Sequence, residues 1–143
     1  AWVSGANVAK ALNDKEAYDG PKDLRRAAVF DAMIGNLDRH GGNWVVVKKT
    51  GKLALIDHGL SFPTKNRNRF INSRLLDADH HGTLTEADKV PWKGKWPVIE
   101  GVLKARGLEP GVVEAMGKRV VHLLQPGTKT IGQLSDFLKK GED

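Results

Sequence analysis

The chain has 143 residues, 40% of them hydrophobic, and a formal charge of +6 at pH 7. That length and apolar content suit one domain with a buried core, and the lack of cysteine excludes disulfides and thiolate metal sites. No apolar run approaches the ~20 residues of a membrane span and no secretory signal is read, so the expectation is a cytoplasmic protein whose basic balance favours anionic partners.

In chain order, residues 1–19 read as a lead-in, with Gly20-Pro21 as a break. Pro21 or Lys22 opens a helix, since proline's fixed φ suits the first helical turn. Leu24, Ala27, Ala28, Phe30, Met33, Ile34 and Leu37 recur at three- and four-residue intervals. That is an amphipathic helix with one broad buried face, ended or loosened by Gly35. A polar loop follows, Asp38-Arg39-His40-Gly41-Gly42-Asn43. Trp44-Val45-Val46-Val47, a turn over Lys49-Thr50-Gly51, and Leu53-Ala54-Leu55-Ile56 then read as strand, turn and strand. Asp57-His58-Gly59 closes the hairpin, so the two acidic sites are expected at the same end of the fold.

The second half opens with a polar stretch over 64–74, which carries Lys65, Arg67, Arg69 and Arg74. Asp77, Asp79, His80 and His81 read as a turn before 84–90 rather than as a metal site. Pro97 is expected to start a helix over 97–106 that Gly107 stops, with Val98, Val102 and Leu103 as its apolar stripe, and Trp92 and Trp96 are read as packing residues. Pro110 opens the next helix, through Val112, Val113, Met116, Val120, Leu123 and Leu124, which ends near Pro126-Gly127. Thr130-Ile131-Gly132-Gln133 has the form of a capping box and starts a last helix with Ile131, Leu134, Phe137 and Leu138 inward.

The polar loop and the triplet after the hairpin carry the chemistry. Asp38 and Asn43 have the D-x-x-x-x-N spacing of a kinase catalytic loop, and Asp57 heads a D-x-G triplet of the kind that holds a kinase's metal. Phosphoryl transfer is mostly positioning and charge neutralisation. One carboxylate orients the attacking hydroxyl and accepts its proton late, the role given to Asp38. Magnesium takes hard oxygen ligands, which the Asp57 carboxylate and the Asn43 amide oxygen supply. Gly41 and Gly42 let the loop turn tightly. Arg39 and His40 orient the loop or touch phosphate, and His40 is placed with Asp38 in the catalytic set. Lys65, Arg67 and Arg69 are the candidate substrate-binding cations, because guanidinium groups grip phosphate oxygens in pairs of bonds.

The strings Ile34-Gly35-Asn36-Leu37-Asp38-Arg39-His40-Gly41-Gly42-Asn43-Trp44 and Leu55-Ile56-Asp57-His58-Gly59-Leu60-Ser61-Phe62-Pro63 resemble the phosphatidylinositol 3-/4-kinase-like superfamily. The resemblance is nearest to the type II phosphatidylinositol 4-kinase branch and its bacterial and phage relatives. It is dense over 30–63 and faint elsewhere. It implies a mainly helical α+β fold: a protein-kinase-like C-terminal lobe with a catalytic β-hairpin and no N-terminal lobe. It divides the chain into a hinge-like lead-in (1–20), a catalytic core (21–63), an activation-segment-like loop (64–91) and C-terminal helices (92–143). It implies Asp38 as catalytic aspartate, Asn43 and Asp57 as holders of Mg2+ or Mn2+, and Trp2, Val3 and Ile56 beside the ATP adenine. The Asp-Arg-His order, with Asn36 two before Asp38, departs from ordinary protein kinases and marks the lipid-kinase-like group.

No G-x-G-x-x-G loop and no lysine-bearing strand precede Asp38. The expectation is the large lobe of an ATP- and metal-dependent phosphotransferase with little activity alone, its missing lobe supplied in cis or in trans. The acceptor is a phosphoinositide headgroup, with peripheral membrane contact, or a protein hydroxyl. The alternative is a kinase-derived binding or structural module that does no chemistry. Keeping Asp38, Asn43 and Asp57 speaks against that alternative, since a non-catalytic lobe has no physical need for all three. Nucleic-acid binding rests on positive charge alone.

Overall fold

The computed structural model describes residues 5–7, 21–39, 44–47, 53–55, 61–63 and 65–140. Its described part is mainly helical: α1 Pro21–Ile34, α2 Arg74–Ala78, α3 Glu86–Ala105, α4 Pro110–Leu124 and α5 Ile131–Lys140, with a 3-10 helix at Lys65–Phe70. Three short antiparallel strands, β1 Gly5–Asn7, β2 Trp44–Val47 and β3 Leu53–Leu55, lie in the order β1-β2-β3. Ala6 pairs with Val46, and Trp44 pairs with Leu55.

Helix α1 is the hub, and it packs against α2, α3, α4 and α5. Its apolar spacing explains this. Leu24, Ala27, Ala28, Val29, Ala32, Met33 and Ile34 are all buried, and the three alanines let neighbouring helices approach closely. Around them gather Leu75 and Leu76 of α2, Met116, Val120 and Leu123 of α4, and Ile131, Leu134 and Leu138 of α5. Each such large side chain fully removed from water contributes about 1.5–3 kcal/mol.

The helix ends are built locally. At the end of α1 the Gly35 N–H donates to the Ala32 carbonyl (3.2 Å) and the Asn36 N–H to the Asp31 carbonyl (3.0 Å). Gly35 sits at φ 66°. This is a Schellman stop, which needs a left-handed residue at that place. Ser73 caps α2 by accepting from the N–H groups of Leu75 and Leu76. The capping box of α5 forms as its sequence suggests: the Gln133 N–H donates to Thr130 Oγ1 (3.1 Å) and the Thr130 N–H to Gln133 Oε1 (3.2 Å).

Two expectations are corrected. Helix α3 starts at Glu86, not Pro97, and runs through Pro91 and Pro97. A capping box starts it, in which Asp88 Oδ2 accepts from the Thr85 N–H (2.8 Å). Each interior proline costs about 3 kcal/mol of helix preference, and packing overrides that. The inward stripe of α3 is then the half-buried Trp92, Trp96, Ile99 and Leu103, which pack against the core, while Val98 and Val102 face outward. In α5, Phe137 is half exposed rather than inward, and its ring lies 5.1 Å from that of His122. The polar stretch over 64–74 holds the 3-10 helix and opens α2.

Candidate catalytic-loop site

The residues that lead into the polar loop are fixed by a buried ion pair. Asp31 lies on the apolar face of α1 and is sealed from solvent, as is Arg39. The Arg39 guanidinium donates to Asp31 through Nη2 (2.9 Å to Oδ1) and Nε (3.0 Å to Oδ2). Ser73 Oγ donates to the same carboxylate at 2.7 Å. So Ser73 does two jobs: it caps α2 and it completes the coordination of Asp31. Arg39 therefore orients the loop, and the expectation that it touches phosphate is corrected by its burial.

Backbone bonds finish the clamp. The Arg39 N–H donates to the Asn72 carbonyl, the Arg74 N–H to the Arg39 carbonyl and the Asn72 N–H to the Asn36 carbonyl, each at 3.0 Å. Residue 39 thus forms a parallel bridge with Ser73. Between these anchors, the Asp38 N–H donates to Asn36 Oδ1 at 2.8 Å, and Asp38 itself is half-buried. The carboxylate-bearing residue is held on both sides, with the backbone before and after it committed.

A second anchor reaches the same region from α4. Arg119 is buried and donates to the Met33 carbonyl (2.9 Å), to Asn68 Oδ1 (3.0 Å) and, at longer range, to the Pro63 carbonyl (3.4 Å). It ties the end of α1 to the segment around Pro63 and to the 3-10 helix. Burial lowers its pKa to about 10, so it is a cation at neutral pH. Pro63 presses on Gly35: a Cβ there would lie 2.5 Å from the proline Cδ. Phe62 takes φ 61°, rare for a bulky residue, and its N–H donates to the Ile34 carbonyl at 2.6 Å. Three buried polar atoms in this region have no partner among the described residues: Asn36 Nδ2, Ser61 Oγ and Arg119 Nη2.

Of the residues singled out in the sequence, Asp38 lies in this clamp. Arg67 and Arg69 are exposed on the 3-10 helix, with Asn68 buried between them, and Arg69 lies 4.7 Å from the centre of the Phe70 ring. Lys65 belongs to the same 3-10 helix. Trp2, Val3, His40, Asn43, Ile56 and Asp57 lie outside the described residues. Of the 77–81 cluster, Asp77 lies in α2 and Asp79, His80 and His81 form the turn that follows it. Its Asp79 pairs with Arg25 at 3.2 Å, and no group of three or more metal-binding side chains occurs among the described residues. Burial raises the Asp79 carboxyl above the ordinary range, against the pull of Arg25.

The sequence reading missed Asp31, Ser73, Asn68 and Arg119. A signal existed for two of them. Asp31 stands four after Ala27 and three before Ile34, and Arg119 three after Met116 and four before Leu123. A charge inside an apolar stripe demands a buried partner. Nothing local marks Ser73 or Asn68.

A family model described as phosphatidylinositol 3- and 4-kinase matches residues 21–99, more than half of the chain. The matched span takes in α1, the Asp31–Arg39–Ser73 cluster and the first part of α3. No curated protein and no solved structure matches.

Proposed function

The chain belongs to the phosphatidylinositol 3- and 4-kinase family, and on that premise we propose that it is the large lobe of a phosphotransferase that moves the γ-phosphoryl group of ATP to a hydroxyl. The observation that carries this reading is the clamp on Asp38. A general base that accepts a proton late must be held in one place, and rate is lost steeply when such a group is misplaced. A buried ion pair next to Asp38 and a backbone bond at its own N–H serve that need.

In this reading Asn43 and Asp57 hold the metal. The donor set, one amide oxygen and one carboxylate, suits magnesium or manganese. Trp44 directly follows Asn43, Leu55 precedes Asp57 by two, and Trp44 pairs with Leu55. That ladder end is the one nearest both residues in sequence. The metal would neutralise charge on the nucleotide phosphates; His40 joins Asp38 in the catalytic set, and Trp2, Val3 and Ile56 flank the adenine. Arg67 and Arg69 are exposed and, with Lys65, would receive a phosphorylated headgroup or an acidic protein segment. The 143 residues hold no glycine-rich loop, so the chain alone is expected to bind the nucleotide weakly and turn over little.

Calorimetric titration of ATP, with and without magnesium, tests this. Magnesium-dependent binding is expected, lost in Asp57→Ala and retained in Asp38→Ala. Where transfer from radiolabelled ATP is measurable, Asp38→Ala should lower it by a factor of about 10²–10⁴. Nucleotide binding indifferent to magnesium and to Asp57→Ala would instead favour a non-catalytic module.

A further inference from the structure

Helices α1 and α3 enclose a cleft of about 370 Å³, within the ~300–1,000 Å³ of ordinary small-molecule sites. None of its lining residues belongs to the Asp31–Arg39–Ser73 cluster. One wall is apolar: Val29 of α1, with Pro91 and Trp92 of α3. The indole of Trp92 is half-buried and packed against the core, so it offers a fixed flat surface.

The opposite character comes from charge. Arg26 of α1 and Lys95 of α3 both line the cleft. Both are exposed, and neither forms an ion pair among the described residues. The one acid in the lining, Asp88, is already engaged. Its Oδ2 accepts from the Thr85 N–H (2.8 Å) and the Thr85 hydroxyl (3.0 Å). Those donors are neutral, so Asp88 keeps its charge, and two cations from different helices with one acid leave the lining net positive.

Pro91 adds a polar point. It has no N–H, so the helical bond that residue 91 would give to the Ala87 carbonyl cannot form. Ala87 also lines the cleft. A proline here costs helix stability, and it leaves a carbonyl able to accept from a bound hydroxyl or amine.

We propose that this cleft binds a small organic anion, a phosphate or carboxylate carried on a flat apolar ring, with the ring against Trp92 and Pro91 and the anion between Arg26 and Lys95. Cation pair and aromatic wall are both needed for this ligand: the charges alone would take any anion, and the wall alone any apolar ring. The proposal does not depend on the phosphotransferase reading.

The probes are phenyl phosphate and benzoate, which separate the two anions, with inorganic phosphate and phenol as the two halves of the first. Calorimetry and the shift of the Trp92 indole N–H resonance report binding. Saturable binding of phenyl phosphate or benzoate is expected in the millimolar range or better, with each half weaker than the whole. Arg26→Ala and Lys95→Ala should each weaken it by about tenfold, and both side chains are exposed, so the fold should survive. Arg106→Ala, an exposed cation outside the cleft, should leave affinity unchanged. The proposal is overturned if neither probe saturates, if inorganic phosphate binds as well as phenyl phosphate, or if Arg106→Ala weakens binding as much as the cleft variants.

Discussion

Arg39 and Arg119 are both sealed from solvent near the C-terminal end of α1, and they are held in opposite ways. Arg39 faces a carboxylate: three contacts of 2.9–3.2 Å join it to Asp31, and Ser73 satisfies the acid further. Arg119 has only neutral acceptors among the described residues, two carbonyls and the Asn68 amide, and its Nη2 has no partner. Burial lowers the pKa of Arg119 to about 10 for that reason. Asp31 and Arg39 offset each other's charge. Arg119 is a buried cation held by dipoles. The first suits a fixed point for Asp38. The second suits a clip that gathers three chain segments at a net desolvation cost.

Breaking the Asp31–Arg39 cluster should have the largest effect. Arg39→Met strands the Asp31 carboxylate, and chemical denaturation should show a loss of about 3–5 kcal/mol. The double variant Asp31→Leu/Arg39→Met should recover most of that loss, because neither charge of the pair is left without the other. If the double variant is no better than the single one, the cluster acts through shape and not through charge.

The clip should be cheaper to remove. Arg119→Met leaves three neutral acceptors without a donor but also takes away a buried charge, so a loss of about 1–3 kcal/mol is expected in the same measurement. A loss larger than that of Arg39→Met would invert the comparison.

Gly35 tests the junction where Arg119 and Pro63 meet the end of α1. Alanine there must adopt φ 66° and would also meet the Pro63 ring. A loss of about 1–2 kcal/mol is expected, from the backbone conformation and from the proline's displacement. Thermal unfolding of Gly35→Ala, compared with Gly107→Ala at φ 82° with no neighbour within 4 Å, separates the two causes.

Asp79, in a second and more peripheral ion pair with Arg25, should matter least. Burial raises its carboxyl pKa although Arg25 opposes the rise. At neutral pH the fold thus disfavours the ionised acid on balance, and Asp79→Asn should change stability by under about 1 kcal/mol. The pH trend has a definite sign. The folded state takes up a proton at higher pH than the unfolded state, so wild type should gain relative to Asp79→Asn as pH falls from the raised value towards 3.8, the ordinary one. Denaturation curves at neutral and acid pH check this.

Much of the helical frame can be read from local pattern. The stripe from Leu24 to Ile34, proline at the start of α1, Gly35 at its end and the Thr130–Gln133 box all act within a few residues, where spacing and capping chemistry suffice. Helix α3 shows where that fails. It has two apolar faces, Val98 with Val102 and Trp92 with Trp96, Ile99 and Leu103. Periodicity alone does not say which turns inward; packing against α4 and α1 does. The two prolines mislead for the same reason, since their local penalty is smaller than the burial gained by one continuous helix. In the candidate site, the loop's acid was legible from motif spacing, whereas its fastening was not.

The sequence alone determined the family, the helical character and the apolar face of α1, because all of these rest on short-range spacing and on residue chemistry. Tertiary structure alone decided that Arg39 is an anchor and not a phosphate contact, that Ser73 and Asp31 hold it across 42 residues of chain, and that Arg119 clips three segments together. A buried charge must find its partner wherever the fold brings one, and the distance along the chain does not specify which.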